Sequence, residues 1–234
     1  IMCGVFLSDV YLAEIFDNEI YNNTENGIYC EYSDNVTINV NQIYNNSISG
    51  ILALHTTNLS MTENTIYGDT TEIESEHGIS LSDTQYCTIK DNEIFNTIFD
   101  GVYIEVSLNI TLENNTIYDS KANGILLKYV HNTSMLENTI HNNDFSGVNV
   151  SHCENLTITW NLIYDNSGYG ILFNDVNDSV LYYNDIGWNS AGNAYDNTTG
   201  GNDWDDGSSI GNWWSDYVWS GTYDILGGSE LDNY

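Results

Sequence analysis

A repeat of 23 residues constrains the fold of this chain more than any other feature. A glycine followed by Ile or Val recurs eight times, spaced by 23 residues except for one interval of 28, at Gly4, Gly27, Gly50, Gly78, Gly101, Gly124, Gly147 and Gly170. An Asn-x-Ile motif follows the same rhythm at Asn18, Asn41, Asn64, Asn92, Asn115, Asn138, Asn161 and Asn184. A fixed period of about 20 to 50 residues is typical of solenoids, whose units bury their apolar faces only by stacking.

Apolar and polar residues alternate in short runs within each repeat, as at Ile79 and Leu81 after a repeat glycine. This alternation is typical of strands, and no segment keeps a helical stripe over three turns. The sequence therefore predicts an all-β fold, a single-stranded right-handed parallel β-helix of about eight 23-residue coils over residues 1–186. A leucine-rich-repeat horseshoe is the alternative, but it needs leucine at positions where this chain has isoleucine.

The repeat fades after residue 186, and residues 187–234 are predicted to form an irregular cap that packs on the last coil. This segment holds five of the six tryptophans, Trp188, Trp204, Trp213, Trp214 and Trp219. Because a solenoid needs its terminal coil covered, the simplest interpretation is an aromatic lid. The alternative is a surface for docking subunits or stacking sugars.

The first residues are apolar and fall inside the repeat pattern, which indicates a processed or trimmed terminus. An uncapped first coil opposite a tryptophan-rich last coil predicts head-to-tail self-association. The four cysteines have no evident pairing within the chain, so either they are buried or some of them, Cys3 especially, bond between subunits. The residues assigned to this assembly are Cys3, Trp204, Trp213, Trp214 and Trp219.

The charge balance excludes several classes of partner. The chain has 3 Lys+Arg against 34 Asp+Glu, a formal net charge of −31, and its only cationic residues besides histidine are Lys90, Lys121 and Lys128. Nucleic-acid binding needs clustered cations, so it is excluded. No apolar run reaches the roughly 20 residues that membrane insertion requires. A lyase acting on a polyanionic sugar would work against this charge, and no polygalacturonase-like motif is present, so we expect no enzymatic activity.

Two acidic segments are candidate calcium sites, because hard cations prefer oxygen ligands. The first is the insertion that breaks the repeat, with Asp69, Glu72, Glu74 and Glu76, and the second is the tail segment with Asp203, Asp205 and Asp206. Solvated acidic loops are the alternative interpretation of both. A weaker copper or zinc hypothesis joins His131, His152 and Glu154, which come close when coils stack. No motif requires a cofactor.

Asn-x-Ser/Thr sequons recur six residues before the Asn-x-Ile motif, at Asn35, Asn58, Asn109, Asn132 and Asn155. They predict a row of glycans along one edge of an extracellular or cell-surface protein. The alternative is that asparagine serves the turn geometry at these positions.

The motifs also carry a family resemblance. The segment Asn138-Thr139-Ile140-His141-Asn142-Asn143, together with Gly-Ile-x-Leu at 23-residue spacing, resembles right-handed parallel β-helix repeat proteins. The tail segments 202–207 and 211–217 are similar to those that close such domains in archaeal and bacterial surface proteins related to the copper-processing accessory proteins of nitrous oxide reductase. The resemblance implies the fold, and it adds copper handling as a third hypothesis for function.

The main functional hypothesis is a non-enzymatic extracellular structural protein, a rigid acidic solenoid that assembles end to end into a filament, sheath or surface layer. The alternative is a carbohydrate-binding or carbohydrate-acting module of the cell surface. Its candidate sugar-stacking strip is the set of rings that recur three residues after the repeat asparagine, provided that they point outward, at Tyr21, Tyr44, Tyr67, Phe95 and Tyr118.

Overall fold

The computed structural model describes residues 2–68, 77–198, 201–208, 210–217, 221–227 and 231–233. All of the regular secondary structure in these residues is β-strand, and nearly all of the strands pair in parallel. The predicted all-β parallel β-helix is therefore confirmed, and the described part of the chain contains no helix of the horseshoe alternative. It also contains no helix long and apolar enough to cross a membrane.

The strands are short and evenly spaced. The first coils contain β1 (Val5–Ser8), β2 (Ala13–Phe16), β3 (Glu19–Tyr21), β4 (Ile28–Glu31), β5 (Val36–Asn39), β6 (Gln42–Tyr44), β7 (Ser49–Leu54), β8 (Ser60–Thr62), β9 (Thr65–Tyr67), β10 (His77–Ser82), β11 (Thr88–Lys90), β12 (Glu93–Phe95), β13 (Val102–Glu105) and β14 (Thr111–Glu113). They are followed by β15 (Thr116–Tyr118), β16 (Ile125–Lys128), β17 (His131–Leu136), β18 (Thr139–His141), β19 (Val148–Thr159), β20 (Leu162–Tyr164), β21 (Tyr169–Asn177), β22 (Val180–Tyr182), β23 (Asp185–Gly187), β24 (Gly192–Asp196), β25 (Trp213–Trp214), β26 (Thr222–Asp224) and β27 (Leu231–Asn233).

The strands form three faces of a rod. The first face begins with β1, β4 and β7, the second with β2, β5 and β8, and the third with β3, β6 and β9. Strand β19 is long enough to belong to the first two faces, which it joins into one 16-stranded sheet, while the third face is a sheet of nine strands. We number the coils by their repeat glycine, so that the first begins at Gly4 and the eighth at Gly170.

Equivalent residues of successive coils lie in register and fill the core with ladders of one residue type. On the third face, Ile66 pairs with Ile94 and Ile94 with Ile117, and all three side chains are buried. Glycine is required at the repeat-glycine positions because atoms of the next coil lie where a Cβ would be. A Cβ on Gly101 would lie 2.5 Å from Cγ2 of Ile117 and 2.8 Å from the carbonyl oxygen of Gly124. The narrow first-face corner of each coil therefore admits glycine alone.

The repeat asparagines form a continuous hydrogen-bonded ladder along the rod. Both the backbone N–H and the Nδ2 of Asn92 donate to Oδ1 of Asn115, at 3.1 and 3.0 Å, and each coil repeats this arrangement. The 28-residue interval does not interrupt it, since Asn64 donates to Asn92 in the same way. The ladder ends at Asn212, whose two N–H groups donate to the buried carboxylate of Asp232.

The stacking continues past residue 186, so the predicted boundary of the repeats falls inside the stack. Strand β24 pairs with β21, and β25 pairs with β23, where Trp214 takes the place of the next ladder isoleucine after Ile186. Trp204 and Trp214 are 1% and 0% exposed. Both therefore form the lid, and their assignment to a docking surface is wrong. Trp219 lies outside the described residues.

Candidate functional site

The outward-pointing rings of the third face form one continuous stack. We call this set the aromatic row; it comprises Tyr21, Tyr44, Tyr67, Phe95, Tyr118, His141 and Tyr164. Successive centroids are 4.9 to 5.1 Å apart and the ring planes differ by 2° to 14°. The rings point outward, as the sugar-stacking hypothesis requires.

The aromatic row nevertheless does not expose flat ring faces. Each ring between the two ends of the row lies face to face with the rings of the coils before and after it, so solvent meets mainly ring edges. Two of the hydroxyls are also engaged: Tyr44 donates to Glu19 and Tyr118 donates to Glu93, at 2.5 and 3.0 Å. The hydrogen bond to Glu19 raises the pKa of Tyr44 to about 12. The row is thus a structural ladder along most of its length, and the sequence-based interpretation of it as a flat strip is wrong.

The aromatic row ends at Gly187, which occupies the position that Tyr164 holds one coil earlier. A Cβ on Gly187 would lie 2.6 Å from Cβ of Ser215 and 3.3 Å from the Trp213 ring. The glycine therefore leaves room for the C-terminal segment to pack over the end of the row. There Trp213 meets Trp188 in a tilted arrangement, with ring centroids 5.5 Å apart.

Beside this end of the row lies a cleft of about 360 Å³, which we call the aromatic cleft. Its sides are formed by Trp160, Leu162, Tyr183, Asp185, Ile210 and Trp213, and its floor is formed by the ladder residues Asn161, Asn184 and Asn212. One side consists of residues at the corner before the third face, and the other of the first residues of β20, β23 and β25. The cleft therefore follows the rod axis across the last three coils.

The rings of the aromatic cleft form one stacked pair and not a continuous row. Trp160 and Tyr183 stack with centroids 4.3 Å apart, and 55% of Trp160 is exposed. The preceding coil has Glu137 at this corner, so the other face of Trp160 has no ring against it in the described structure. Rings inside the aromatic row have no such uncovered face, and only an end ring such as Tyr21, 47% exposed, is open on one side.

Sequence reasoning missed Trp160 and Tyr183, although their column carries a pattern. Both residues have left-handed backbone conformations, with φ of 59° and 58°, at a corner that Asp17, Val40 and Glu63 occupy in the first three coils. Aromatic residues appear in this column only in the seventh and eighth coils. Aligning the corner columns, as well as the ladder positions, would have identified this cleft.

Among the described residues that line the cleft, none is cationic and Asp185 is the only carboxylate. The three lysines lie in the fourth to sixth coils: Lys90 is 2.6 Å from Glu113, Lys121 is 3.3 Å from Asp144, and Lys128 lies over the ring of Tyr103. The local electrostatic environment of the cleft is therefore neutral to negative.

The described residues include no group of three or more His, Cys, Asp or Glu side chains arranged to hold a metal ion. In the predicted tail site, Asp205 accepts the N–H of Gly207 at 2.6 Å, and Asp206 accepts the N–H and hydroxyl of Ser208 at 2.9 and 2.8 Å. Asp203 pairs through its backbone with Val180. These carboxylates shape their own turn, and the structure does not gather them as ligands. The other predicted calcium residues, Asp69, Glu72, Glu74 and Glu76, lie outside the described residues.

The three residues of the copper or zinc hypothesis are not brought together either. Nδ1 of His131 lies 3.4 Å from Oε1 of Glu154, as the register predicts, but His152 points to a different partner, Asp175, at 2.7 Å. His152 also stacks on Tyr129, with centroids 4.9 Å apart. Each histidine thus forms its own pair with a carboxylate.

All four cysteines are free. Burial raises the pKa of Cys30 to about 12 and that of Cys153 to about 11, so neither thiol is a ready metal ligand at neutral pH. Cys3 is partly exposed and its Sγ lies 3.5 Å from Oε2 of Glu25. Its disulfide between subunits stays a prediction.

The predicted glycosylation sites lie together on one corner of the rod. Asn35, Asn58, Asn109, Asn132 and Asn155 all have left-handed φ angles, between 51° and 57°, and all are exposed or half-buried. Asparagine tolerates this conformation better than most residues do. The turn geometry therefore accounts for the asparagines, and their glycosylation stays a prediction.

Comparison with protein families gives two matches. The model described as periplasmic copper-binding protein (NosD) matches residues 49–218, and the right-handed β-helix region matches residues 2–71. A periplasmic family agrees with a location in the cell envelope. The residues that the structure describes do not form a copper site, since neither the histidine pairs nor the buried thiols form a ligand set.

Several solved structures share the fold. The periplasmic alginate epimerase AlgG is 20% identical with a TM-score of 0.76, over 86% of this chain and 50% of that chain. The A-module of the Azotobacter vinelandii mannuronan C-5 epimerase AlgE6 is 18% identical with a TM-score of 0.73, over 93% and 64%. The enzymatically active domain of bacteriophage CBA120 tailspike protein 2 is 12% identical with a TM-score of 0.66, over 89% and 41%. No curated protein matches the sequence.

This chain thus spans about half the length of AlgG. The comparisons overturn the expectation that the protein is not an enzyme, because the similar structures are epimerases and an enzymatically active tailspike domain. The absence of lyase and hydrolase motifs does not bear on epimerases, which share the fold. None of the comparisons supports assembly into a filament.

Proposed function

The chain belongs to the family of the periplasmic copper-binding protein NosD, whose model matches most of it, and from that premise we propose that it binds or acts on carbohydrate outside the cytoplasm. The aromatic cleft is the site. Carbohydrate is the ligand of the alternative hypothesis from the sequence, but the site proposed here is the aromatic cleft and not the aromatic row.

The observation that carries the proposal is the half-exposed indole of Trp160, one face of which has no described ring against it, at the end nearest the sixth coil of a cleft that runs along the rod axis. A sugar ring has an apolar face of C–H groups and an edge of hydroxyls, and tryptophan offers a flat apolar surface with a polar tip. Stacking on Trp160 would cover the apolar face of one sugar unit. The row beside the cleft lacks such a surface, because its rings cover one another.

The polar groups of the cleft suit the hydroxyl edge. Asp185 is exposed at the start of β23 and can accept hydrogen bonds from hydroxyls, while Tyr183 contributes a phenol at the opposite side. A mostly apolar cleft with a few polar groups is the usual form of a small-ligand site. The fold shared with alginate epimerases supports carbohydrate as the class of ligand.

The test is binding of a panel of oligosaccharides, both neutral and anionic, by titration calorimetry with the purified chain and the Trp160→Asn variant. Asparagine suits the left-handed corner, and Asn114 occupies it in the fifth coil, so the variant removes the ring without straining the backbone. Tyr86→Asn is the matched control, since Tyr86 is an exposed ring in a left-handed conformation at another corner.

We expect at least one oligosaccharide to bind, with affinity about tenfold weaker in Trp160→Asn and unchanged in Tyr86→Asn. Failure of every oligosaccharide to bind, or equal affinity in the Trp160 variant, would contradict the proposal.

A further inference from the structure

We propose that the aromatic cleft takes an uncharged glycan and excludes polyuronates, the anionic class to which alginate belongs. The inference rests on the proposed function and adds the substrate class to it. It also separates this chain from the alginate epimerases that share its fold.

The first argument is the lack of cations at the site. A polyuronate carries a carboxylate on every sugar unit, and its recognition needs cationic side chains to offset their desolvation. None of the cleft-lining residues that the structure describes is cationic, and the chain has no arginine. The lysines nearest to it in sequence, Lys121 and Lys128, lie one or more coils before Trp160 on other parts of the repeat.

The second argument is the negative charge that a bound polyuronate would meet. Asp185 is exposed inside the cleft, where it would face the sugar carboxylates directly. The formal net charge of −31 opposes the approach of any polyanion as well. An uncharged glycan meets neither barrier, and its hydroxyls can donate to the Asp185 carboxylate.

The third argument comes from the opposite end of the same edge of the rod. The positions equivalent to the cleft in the first three coils form a depression lined by Asp17, Glu19, Val40, Gln42 and Glu63. A long polyuronate lying along this edge would pass more acidic side chains the further it extended toward the first coil. The first three coils of this edge therefore do not favour an anionic chain either.

The experiment reverses the charge at the site. The chain and its Asp185→Lys variant are titrated with two uncharged probes, cellohexaose and mannohexaose, and with hexamannuronate, in buffer without divalent cations. Glu19→Lys is the matched control, because Glu19 is the first residue of β3 as Asp185 is of β23, and the substitution changes the net charge equally.

We expect an uncharged hexasaccharide to bind the unmodified chain at least about tenfold more tightly than hexamannuronate. Asp185→Lys should gain affinity for hexamannuronate, in a manner that falls with added salt, whereas Glu19→Lys should not. Tighter binding of hexamannuronate by the unmodified chain would overturn this inference but leave the proposed function standing. If none of the three probes binds while another oligosaccharide of the wider panel does, that ligand decides: an anionic one overturns this inference alone, and an uncharged one supports it. If nothing in the panel binds, both fail.

Discussion

The aromatic row and the aromatic cleft are built on the same edge of the same repeat, yet they present their rings in opposite ways. In the row, coil after coil supplies a ring at one position, so that neighbouring rings cover each other about 5 Å apart. In the cleft, Gly187 ends the row, and rings enter from the corner column and from the C-terminal segment instead. Regular repetition makes a rigid surface without open ring faces, and a surface able to recognise a ligand arises where the repetition stops.

The largest effect on stability is expected from breaking the asparagine ladder of the regular repeats. In Asn115→Leu, the backbone N–H of Asn92 and the carbonyl oxygen of Ile89 lose their buried partner. Nδ2 of Asn92 keeps its bonds to the carbonyl oxygens of Met61 and Lys90. We expect the free energy of unfolding to fall by about 2 to 6 kcal/mol, because each of the two unsatisfied buried groups costs about 1 to 3 kcal/mol. Urea denaturation followed by circular dichroism measures the change.

Asn22→Asp is the control for that variant. Asn22 is an exposed corner residue with φ of 55°, and aspartate tolerates this conformation. Its unfolding free energy should stay within about 0.5 kcal/mol of the unmodified chain. Equal losses in both variants would show that the ladder adds nothing beyond local turn geometry.

The next effect concerns the end of the ladder and depends on pH. Burial raises the pKa of Asp232 to about 6, from an ordinary value of 3.8, so the folded chain binds a proton more readily than the unfolded chain does. Stability contributed at this site is therefore fully present below about pH 4 and is lost as pH rises through 6. The whole shift amounts to about 3 kcal/mol at most.

In Asp232→Asn the ladder ends on an amide, which cannot ionise. We expect the C-terminal segment of this variant to keep the same stability between pH 5 and 8, whereas that of the unmodified chain declines. Fluorescence of the buried Trp214, whose Nε1 donates to Asp232 at 2.6 Å, follows the segment during denaturation. A parallel decline in both proteins would assign the pH dependence to another group.

The regular repeat and the cleft differ in how much of their structure the sequence predicts. The period, the three strands per coil, the inward Ile ladder and the register of His131 with Glu154 all follow from spacing, because stacked coils place equivalent residues together. The cleft and the role of Asp232 do not. They depend on how the non-repeating segment folds back, and no spacing relates Asn212 to Asp232 or Gly187 to Trp213.

A smaller effect is expected where the row meets the cleft. In Gly187→Ala, the added Cβ would lie 2.6 Å from Cβ of Ser215, so β25 must move away from β23. Overpacking of this kind costs about 1 to 3 kcal/mol. We expect weaker oligosaccharide binding together with increased solvent quenching of tryptophan fluorescence. Gly207→Ala is the control, because nothing lies within 4 Å of its added Cβ, although its φ of 75° adds some strain.

The smallest effect is expected within the row itself. Tyr118→Phe removes the hydrogen bond to Glu93 and leaves the stack intact, since Phe95 already occupies the preceding position. A single exposed hydrogen bond contributes about 0.5 to 1.5 kcal/mol, so the thermal midpoint should fall by only a few degrees. Burial, with help from Glu93, raises the pKa of Tyr118 to about 12, and ultraviolet titration of the unmodified chain should show a late-ionising phenol that the variant lacks. Unchanged oligosaccharide affinity in this variant would place recognition in the cleft, whereas a loss comparable to that of Trp160→Asn would mean that ring edges of the row contact the glycan after all.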